Sequence, residues 1–250
     1  MKKSNLIISF IALTVALLFT SCLSFTAKVT IYGNGELSTK SIPISDFSKI
    51  VIETYVEVNF SQEQNPGNLE FTVDENLWKY YDIHTKDNVL YIKLKNEYKK
   101  QVKVKATQSL LTVSSEQLES IDIAGSSNFI FNTAFTSKEF KIDLAGSGKI
   151  FANNHPVEIQ NCSIEIAGSA NIYLAGTIEI AKIEIAGSGN IEALECEFVQ
   201  LIIDIAGSGN VEAQVTDKLA VEIAGSGDVR YKGDPEVTSK IAGSGKVRKI

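Results

Sequence analysis

The chain has 250 residues, and its 24 lysines and arginines against 30 aspartates and glutamates give a formal net charge of -6. This acidic balance argues against nucleic acid as a partner, because binding to phosphates needs a basic surface. The two histidines, His84 and His155, and the two arginines, Arg230 and Arg248, are far apart in sequence. That spacing disfavours a catalytic site built from such residues.

The N-terminus has the features of a secretory signal. Lys2 and Lys3 precede an apolar segment, residues 6–19, whose length of about 14 residues is too short to span a bilayer. The following Phe19-Thr20-Ser21-Cys22 resembles the lipobox of bacterial lipoproteins, in which the cysteine becomes the lipidated first residue. We therefore expect a signal peptide at 1–21 and a membrane anchor at Cys22. The expected location is the cell envelope, as an outer-membrane lipoprotein whose periplasmic or surface face is undetermined. The alternative is an ordinary cleaved signal with an incidental cysteine.

The next part of the chain alternates in hydrophobicity, as β-strands do. Residues 22–38 have few bulky side chains and are predicted to be a tether, and residues 39–120 are predicted to form β-hairpins. One hairpin joins residues 50–60 to 69–73 through the turn sequence 64–68, and a second joins residues 89–92 to 102–104. Between them, residues 74–81 are predicted to form a short helix with Asp74 as its N-cap.

The second predicted hairpin is rich in lysine. One interpretation is a patch for acidic glycans or lipid headgroups, formed by Lys93, Lys95, Lys103 and Lys105. The alternative is that these lysines lie on a solvent face and keep a strand edge from pairing with another chain, and we prefer it because natural sheets protect their edges in this way.

Residues 121–250 consist of a repeat. Seven copies of a phrase close to IAGSGN occur at intervals of 18 to 22 residues, beginning at Ile123, Leu144, Ile166, Ile185, Ile205, Ile223 and Ile241. A period near 20 residues is typical of a solenoid, in which each unit buries its apolar face against its neighbours. Apolar residues recur at the first position of the phrase, two residues before it and six after it. They are predicted to form three inward-facing columns of an all-β solenoid with about seven rungs.

The turn of each copy carries a glycine that never varies. We expect this glycine to need a positive φ or a close backbone contact, whereas the second glycine is replaced by Ser127 and Ala170 and is less constrained. The alanine before the turn is expected to fit inside a tight bend, and Asn128, Asn171, Asn190 and Asn210 are expected to stack as an amide ladder. The seven glycines are Gly125, Gly146, Gly168, Gly187, Gly207, Gly225 and Gly243.

Two outward columns carry most of the remaining chemistry. The first column is acidic and ends in Lys240. It is either a calcium-binding ladder or a solvated face, and we prefer the solvated face because the carboxylates come from separate rungs and no loop is shaped to hold a calcium ion. It contains Asp122, Asp143, Glu165, Glu184, Asp204 and Glu222. The second column runs Ile130, Phe151, Tyr173, Glu192, Glu212, Arg230 and Arg248, and Glu212 is expected to pair with Arg230. Phe151 and Tyr173 are candidates for an exposed strip that stacks on sugars or docks a protein. The alternative, which we favour, is that the N-terminal hairpins cover both rings.

Neither the cysteines nor the turn serines predict chemistry. Cys162 and Cys196 are expected two rungs apart, roughly 10 Å, which is too far for a disulfide. The serines recur in seven equivalent turns without a histidine partner, whereas a catalytic site is singular. We therefore expect no enzyme, no metal and no cofactor. The alternative is a carbohydrate-active β-helix enzyme, a polysaccharide lyase or hydrolase, with a concave cleft holding three or more carboxylates.

The repeated IAGSGN phrase, the Phe47-Ser48-Lys49-Ile50 strand entry, the Val89-Leu90-Tyr91-Ile92 strand and the lipoprotein start together carry a resemblance to a known family. Residues 39–250 resemble the GIN-domain family of auto-transporter adhesin heads, found in Bacteroidetes. The resemblance implies one domain folded as a right-handed β-helix without catalytic residues. It also implies a role in cell adhesion. Together with the lipobox and the repetition without a singular site, it predicts a lipid-anchored adhesin or envelope scaffold that binds a glycan or protein.

Overall fold

The computed structural model describes residues 28–250, so the predicted signal peptide and Cys22 lie outside the described residues. The fold is almost entirely β-structure, with one 3₁₀ helix at Glu75–Tyr80 and one helical turn, α1, at Asn96–Lys99. The strands are β1 (Val29–Tyr32), β2 (Leu37–Pro43), β3 (Lys49–Ile52), β4 (Glu57–Ser61), β5 (Asn68–Asp74), β6 (Tyr81–Lys86), β7 (Val89–Leu94), β8 (Val102–Lys105), β9 (Ser109–Ser114), β10 (Ser120–Gly125), β11 (Asn128–Phe131), β12 (Phe135–Gly146), β13 (Lys149–Gly168), β14 (Asn171–Gly187), β15 (Asn190–Gly207), β16 (Asn210–Gly225), β17 (Asp228–Lys232), β18 (Glu236–Gly243) and β19 (Lys246–Lys249).

The repeats stack as predicted. Strands β10 to β19 pair in parallel so that the first residue of each copy faces the first residue of the next, from Ile123 to Ile241. Seven copies of the turn delimit a β-solenoid of about six turns. The three predicted columns are buried, and each side chain in them is worth roughly 1.5 to 3 kcal/mol. The last coil is the exception, because within residues 28–250 it has a neighbour on one side only, and Ile241 is 40% exposed.

The turn glycines combine an unusual backbone with close packing. Their φ angles lie between +133° and +141°, a region that residues with a side chain rarely adopt. From Gly146 onward, a Cβ atom would also overlap the carbonyl oxygen of the glycine one coil below. That oxygen accepts a hydrogen bond from the next turn, as in Ser188 N to Gly168 O at 2.8 Å. The alanine beside each glycine is exposed, so the expectation that it fits inside the bend is wrong: alternation continues from the buried isoleucine and turns the alanine outward.

The N-terminal strands extend the solenoid in an order that differs from the chain order. Strands β3 and β4 form a coil that pairs in parallel with β10 and β11 on one side. On the other side the same coil pairs in parallel with β7 and β9. The coil β3–β4 therefore lies between two coils that come later in the sequence.

This order makes both predicted hairpins wrong. Strand β4 does not pair with β5, because both of its edges are taken by β9 and β11, and β5 pairs antiparallel with β2 and β9 instead. Likewise β7 pairs with β3 and, antiparallel, with β6, while β8 pairs with β1. The true hairpin, β6–β7, turns at Asp87 and Asn88, both with positive φ, as a two-residue hairpin turn requires.

Asp74 has a different role from the one predicted. The short helix follows it, but its side chain does not cap that helix. The fully buried carboxylate instead accepts hydrogen bonds from the backbone N–H of Gly35 at 2.8 Å and of Thr107 at 2.7 Å. Asp74 thus ties the β1–β2 turn and the β8–β9 connection to β5.

Strand structure begins at Val29, inside the range predicted as tether. Strand β1 pairs in parallel with β8, from Val29 with Val102 to Tyr32 with Lys105. Ile31, Val102 and Val104 pack against the core. The β1–β8 pair therefore belongs to the folded domain.

The core changes character along the stack. Where the N-terminal coil meets the first repeat, Phe60 packs against Phe129 and Phe131 with ring centroids 5.7 and 5.8 Å apart, and Phe135 and Phe140 extend the cluster. Beyond it the core is mainly isoleucine, leucine, valine and alanine, with Phe198 as a single fully buried ring. Cys162 and Cys196 are buried and free, as predicted, and burial raises the pKa of both thiols to about 12.

Candidate functional site

The outward face that follows the glycine turns is the most distinctive surface of the solenoid. It consists of two columns, one from the first and one from the third residue of each post-turn strand, and we call it the Asn face. The first column is Glu57, Asn128, Lys149, Asn171, Asn190, Asn210, Asp228 and Lys246, and the second is Asn59, Ile130, Phe151, Tyr173, Glu192, Glu212, Arg230 and Arg248.

Three asparagines of this face form the expected ladder. Asn190 Nδ2 donates to Asn171 Oδ1 at 3.0 Å, and Asn210 Nδ2 donates to Asn190 Oδ1 at 2.9 Å. The ladder ends where the backbone N–H of Asp228 donates to Asn210 Oδ1 at 3.2 Å. Asn128 is separated from it by Lys149. Each amide has two donors and two acceptor positions, so a single row of contacts leaves further hydrogen-bonding capacity toward solvent.

Charged side chains flank the ladder and form a shallow groove of about 620 Å³. As predicted, Arg230 pairs with Glu212 across neighbouring coils. Arg248 lies one coil further on, in register with Arg230. The groove is lined by Asn190, Glu192, Asn210, Glu212, Asp228, Arg230 and Arg248, together with Ile191 and Val211. The asparagine ladder, the column order and the Glu212–Arg230 pair were predicted from the sequence. The groove was not, because it depends on which side chains project beside the ladder.

Phe151 and Tyr173 occupy the same column nearer the N-terminus. Their rings are parallel to within 1° with centroids 5.1 Å apart, an offset-stacked arrangement. Because the two rings share their faces, what they offer a ligand is mainly ring edges and the Tyr173 hydroxyl. The N-terminal strands do not cover them as expected: β4 and β9 continue the column as Asn59 and Thr112.

The acidic column lies on the opposite side of the glycine turns. Lys141 lies 3.1 Å from carboxylate oxygens of both Asp143 and Glu165, and Lys182 lies 2.5 Å from Glu184. Hydrogen bonds to these carboxylates raise the pKa of both lysines. Burial, followed by the neighbouring Asp143, raises the pKa of Asp122. Residues 28–250 contain no group of three or more His, Cys, Asp or Glu arranged to hold a metal ion.

The four candidate lysines do not converge on one site. Lys93, on β7, lies 3.8 Å from Asp82 and over the Tyr91 ring, whereas Lys103 and Lys105 lie on the exposed side of β8. Lys95 is exposed at the start of α1. His84 contacts Asp82 on β6, and His155 lies on β13, so neither histidine borders the Asn-face groove.

These features define a class of protein: a β-solenoid whose candidate site is a shallow, repetitive polar face. Its described part has no helix long and apolar enough to cross a membrane. Residues 46–235 match the family described as "Putative auto-transporter adhesin, head GIN domain", and the chain belongs to this family.

Solved structures of Bacteroidales proteins have the same fold. A protein of Parabacteroides distasonis described as a putative lipid binding protein is 28% identical, with a TM-score of 0.75 over 88% of this chain and 99% of its own. A putative adhesin of Parabacteroides merdae is 30% identical, with a TM-score of 0.68 over 89% and 99%. A putative adhesin of Bacteroides fragilis is 22% identical, with a TM-score of 0.79 over 88% and 100%, and shows the fold alone. No curated protein matches the chain.

Proposed function

We propose that this protein is a non-enzymatic adhesin of the cell envelope, anchored through a lipidated Cys22, which binds a glycan on the Asn face. The supporting observation is the groove beside the Asn171–Asn190–Asn210 ladder, where amides, carboxylates and arginines recur at the spacing of neighbouring strands, about 4.8 Å. Such a row supplies donors and acceptors to a ligand that itself repeats hydroxyl groups. Membership of an adhesin-head family supports the same function.

The groove differs from a hydrolytic site in the arrangement of its acids. Glu212 is paired with Arg230, and Glu192, Glu212 and Asp228 come from three successive coils of an open face. A glycosidase instead places two carboxyl groups on opposite sides of the scissile bond. We therefore expect the protein to bind polysaccharides without releasing reducing ends from them.

Glycan-array binding of the full chain carrying Cys22→Ser, which cannot be acylated, tests the proposal. The double variant Asn190→Ala/Asn210→Ala removes two amides and should weaken binding at least about fivefold, since each lost hydrogen bond contributes roughly 0.5 to 1.5 kcal/mol. The matched control is Lys182→Ala/Glu184→Ala on the acidic face, which should bind normally. Equal glycan binding by the two double variants would show that the Asn face is not the binding site. If the Asn face instead captures a protein ligand, the glycan part of the proposal is wrong.

Attachment of cells tests the biological role. Deletion of the protein should reduce attachment to the glycan-bearing surface identified by the array. Protease added to intact cells should cleave the protein if it faces outward, because a periplasmic protein is shielded by the outer membrane. Full protection together with unchanged attachment would rule out the adhesin role.

A further inference from the structure

The β1–β8 pair is the part of the folded domain that lies nearest to the proposed anchor along the chain. Six residues, and therefore seven Cα–Cα steps, separate Cys22 from Val29, the first residue of β1. Even fully extended, they reach at most about 25 Å. An acyl chain on Cys22 therefore holds β1 within that distance of the bilayer surface.

One side of this strand pair faces solvent. Parallel register places Thr30 beside Lys103 and Tyr32 beside Lys105, while Ile31, Val102 and Val104, which alternate with them, pack on the core. Tyr32 is 62% exposed, and Lys105 Nζ lies 5.6 Å from the Tyr32 ring centroid. An aromatic ring with a polar tip beside a lysine is the combination favoured at membrane interfaces.

The charge around this side opposes the acidic balance of the whole chain. Lys93 and Lys99 are paired with Asp82 and Glu53. Of the carboxylates in residues 28–250, none lies within ion-pair distance of the remaining lysines of this region, which are Lys28, Lys95, Lys100, Lys103 and Lys105. Protection of a strand edge accounts for the lysines on β8, but not for Lys28 and Lys100, which lie outside the strands, or for the exposed Tyr32.

We propose that this side, the basic face, lies against anionic phospholipid headgroups of the bilayer that holds the anchor. The inference rests on the proposed lipidation of Cys22, which would keep this side close to the bilayer. The exposed lysines would attract the anionic headgroups. Each lysine near an anionic surface strengthens membrane partitioning roughly fivefold. The Asn-face groove lies several coils away from the N-terminal end of the stack, because Thr112 and Glu212 of one column are six strand spacings apart, about 29 Å.

Vesicle sedimentation of the full Cys22→Ser chain tests the basic face without the acyl anchor. The chain should bind phosphatidylcholine vesicles that contain phosphatidylglycerol, should not bind pure phosphatidylcholine, and should be released by salt. Lys103→Glu/Lys105→Glu should weaken binding at least about tenfold, and Lys103→Gln/Lys105→Gln should weaken it less. Lys138→Glu/Lys218→Glu makes the same charge change at exposed sites elsewhere on the solenoid and should bind normally.

The possible outcomes separate this inference from the proposed function. Equal loss in both charge-reversal variants, or no binding of the folded chain to anionic vesicles, would overturn the basic face. Mass spectrometry of the native protein tests acylation at Cys22 independently. Unmodified Cys22 with intact vesicle binding would overturn the anchor and leave the basic face as a peripheral membrane site. Failure of the glycan array alone would overturn only the adhesin role.

Discussion

The two halves of the solenoid reach the same coil by different means. In the repeat, every turn is closed by a glycine, and from Gly146 onward the neighbour of that glycine one coil below is another glycine. In the coil β3–β4, the turn is Glu53-Thr54-Tyr55, with no glycine, and it still lies in register, Ile52 facing Ile123. The two halves therefore share the inward-facing columns of apolar side chains. The glycine is needed only where identical turns stack, because a side chain there would overlap the carbonyl oxygen of the turn one coil below.

The junction between the halves shows how a different turn is accommodated. Ser127 replaces the second glycine of the first copy and is completely buried. Its hydroxyl donates to Thr54 O at 2.5 Å and accepts from Val56 N at 3.2 Å. Ser127 therefore provides hydrogen-bond partners for the Thr54 carbonyl and the Val56 N–H, which a glycine at this position would leave unpaired.

Breaking a glycine turn in the middle of the repeat should have the largest effect. In Gly187→Val, the side chain must adopt a φ of +133° and displace the Gly168 carbonyl oxygen. We expect a loss of about 3 kcal/mol or more in the free energy of unfolding, measured by thermal or denaturant unfolding.

Two controls separate backbone strain from packing at this turn. Gly189→Ala has no unfavourable φ and meets Ile166 Cγ2 at 2.7 Å, so it should cost less than Gly187→Val. Gly125→Ala has the same φ as the other turns but nothing within 4 Å of the new Cβ, so it should cost less than Gly187→Ala. Equal melting of Gly187→Val and Gly189→Ala would contradict our account of the turn.

In the N-terminal part of the domain, Asp74→Asn should lower the free energy of unfolding by about 1.5 to 3 kcal/mol, which is the range for hydrogen bonds to a charged group. Burial raises the pKa of Asp74, but the hydrogen bonds from Gly35 and Thr107 outweigh it and hold the pKa below its ordinary value. Because the folded-state pKa is the lower one, this stabilisation is complete above the unfolded value of about 3.9 and is lost as the pH falls through the folded pKa.

The stability difference between the native protein and Asp74→Asn should accordingly be constant from neutral pH to about pH 5 and narrow below about pH 4. Urea unfolding at several pH values measures it. A gap that stays constant down to acid pH would show that Asp74 acts through packing rather than charge.

At the junction, Ser127→Ala should cost about 1 to 3 kcal/mol, because the Thr54 carbonyl and the Val56 N–H lose their partner in a buried position. Ser188→Ala, at an exposed turn, is the matched control and should leave the melting temperature unchanged. If both variants melt like the native protein, the junction does not depend on this hydroxyl.

The smallest effect is expected from Arg230→Ala in the repeat. Its pair with Glu212 is exposed on the arginine side, and such pairs contribute about 0 to 1 kcal/mol. Melting should shift little, whereas glycan binding by the Asn face should weaken. A large loss of stability would show that the charged column supports the coil itself.

Repetition explains which parts of this structure could be read from the sequence. The three buried columns, the positions of the turns and the Asn190–Asn210 contact follow from laying the copies over one another. The N-terminal pairings could not be found this way, because alternation shows which side of a strand is buried but does not identify its partner. The turn at Pro66 and Gly67 suggested a hairpin, yet parallel neighbours occupied both edges of β4 first. Asp74 was misassigned because its partners, Gly35 and Thr107, are distant in the chain.

The order of the coils has a consequence for how the polypeptide folds as it is made from its N-terminus. Coil β3–β4 comes early in the chain, but both of its neighbours are made from later residues. It cannot be completed until β11 has emerged. From that point each new coil finds a finished edge to pair with, and contacts are made only with the coil before it. We therefore expect assembly to start slowly at one end and to elongate in a single direction, so that loss of the last coil should be tolerated better than loss of β10 and β11.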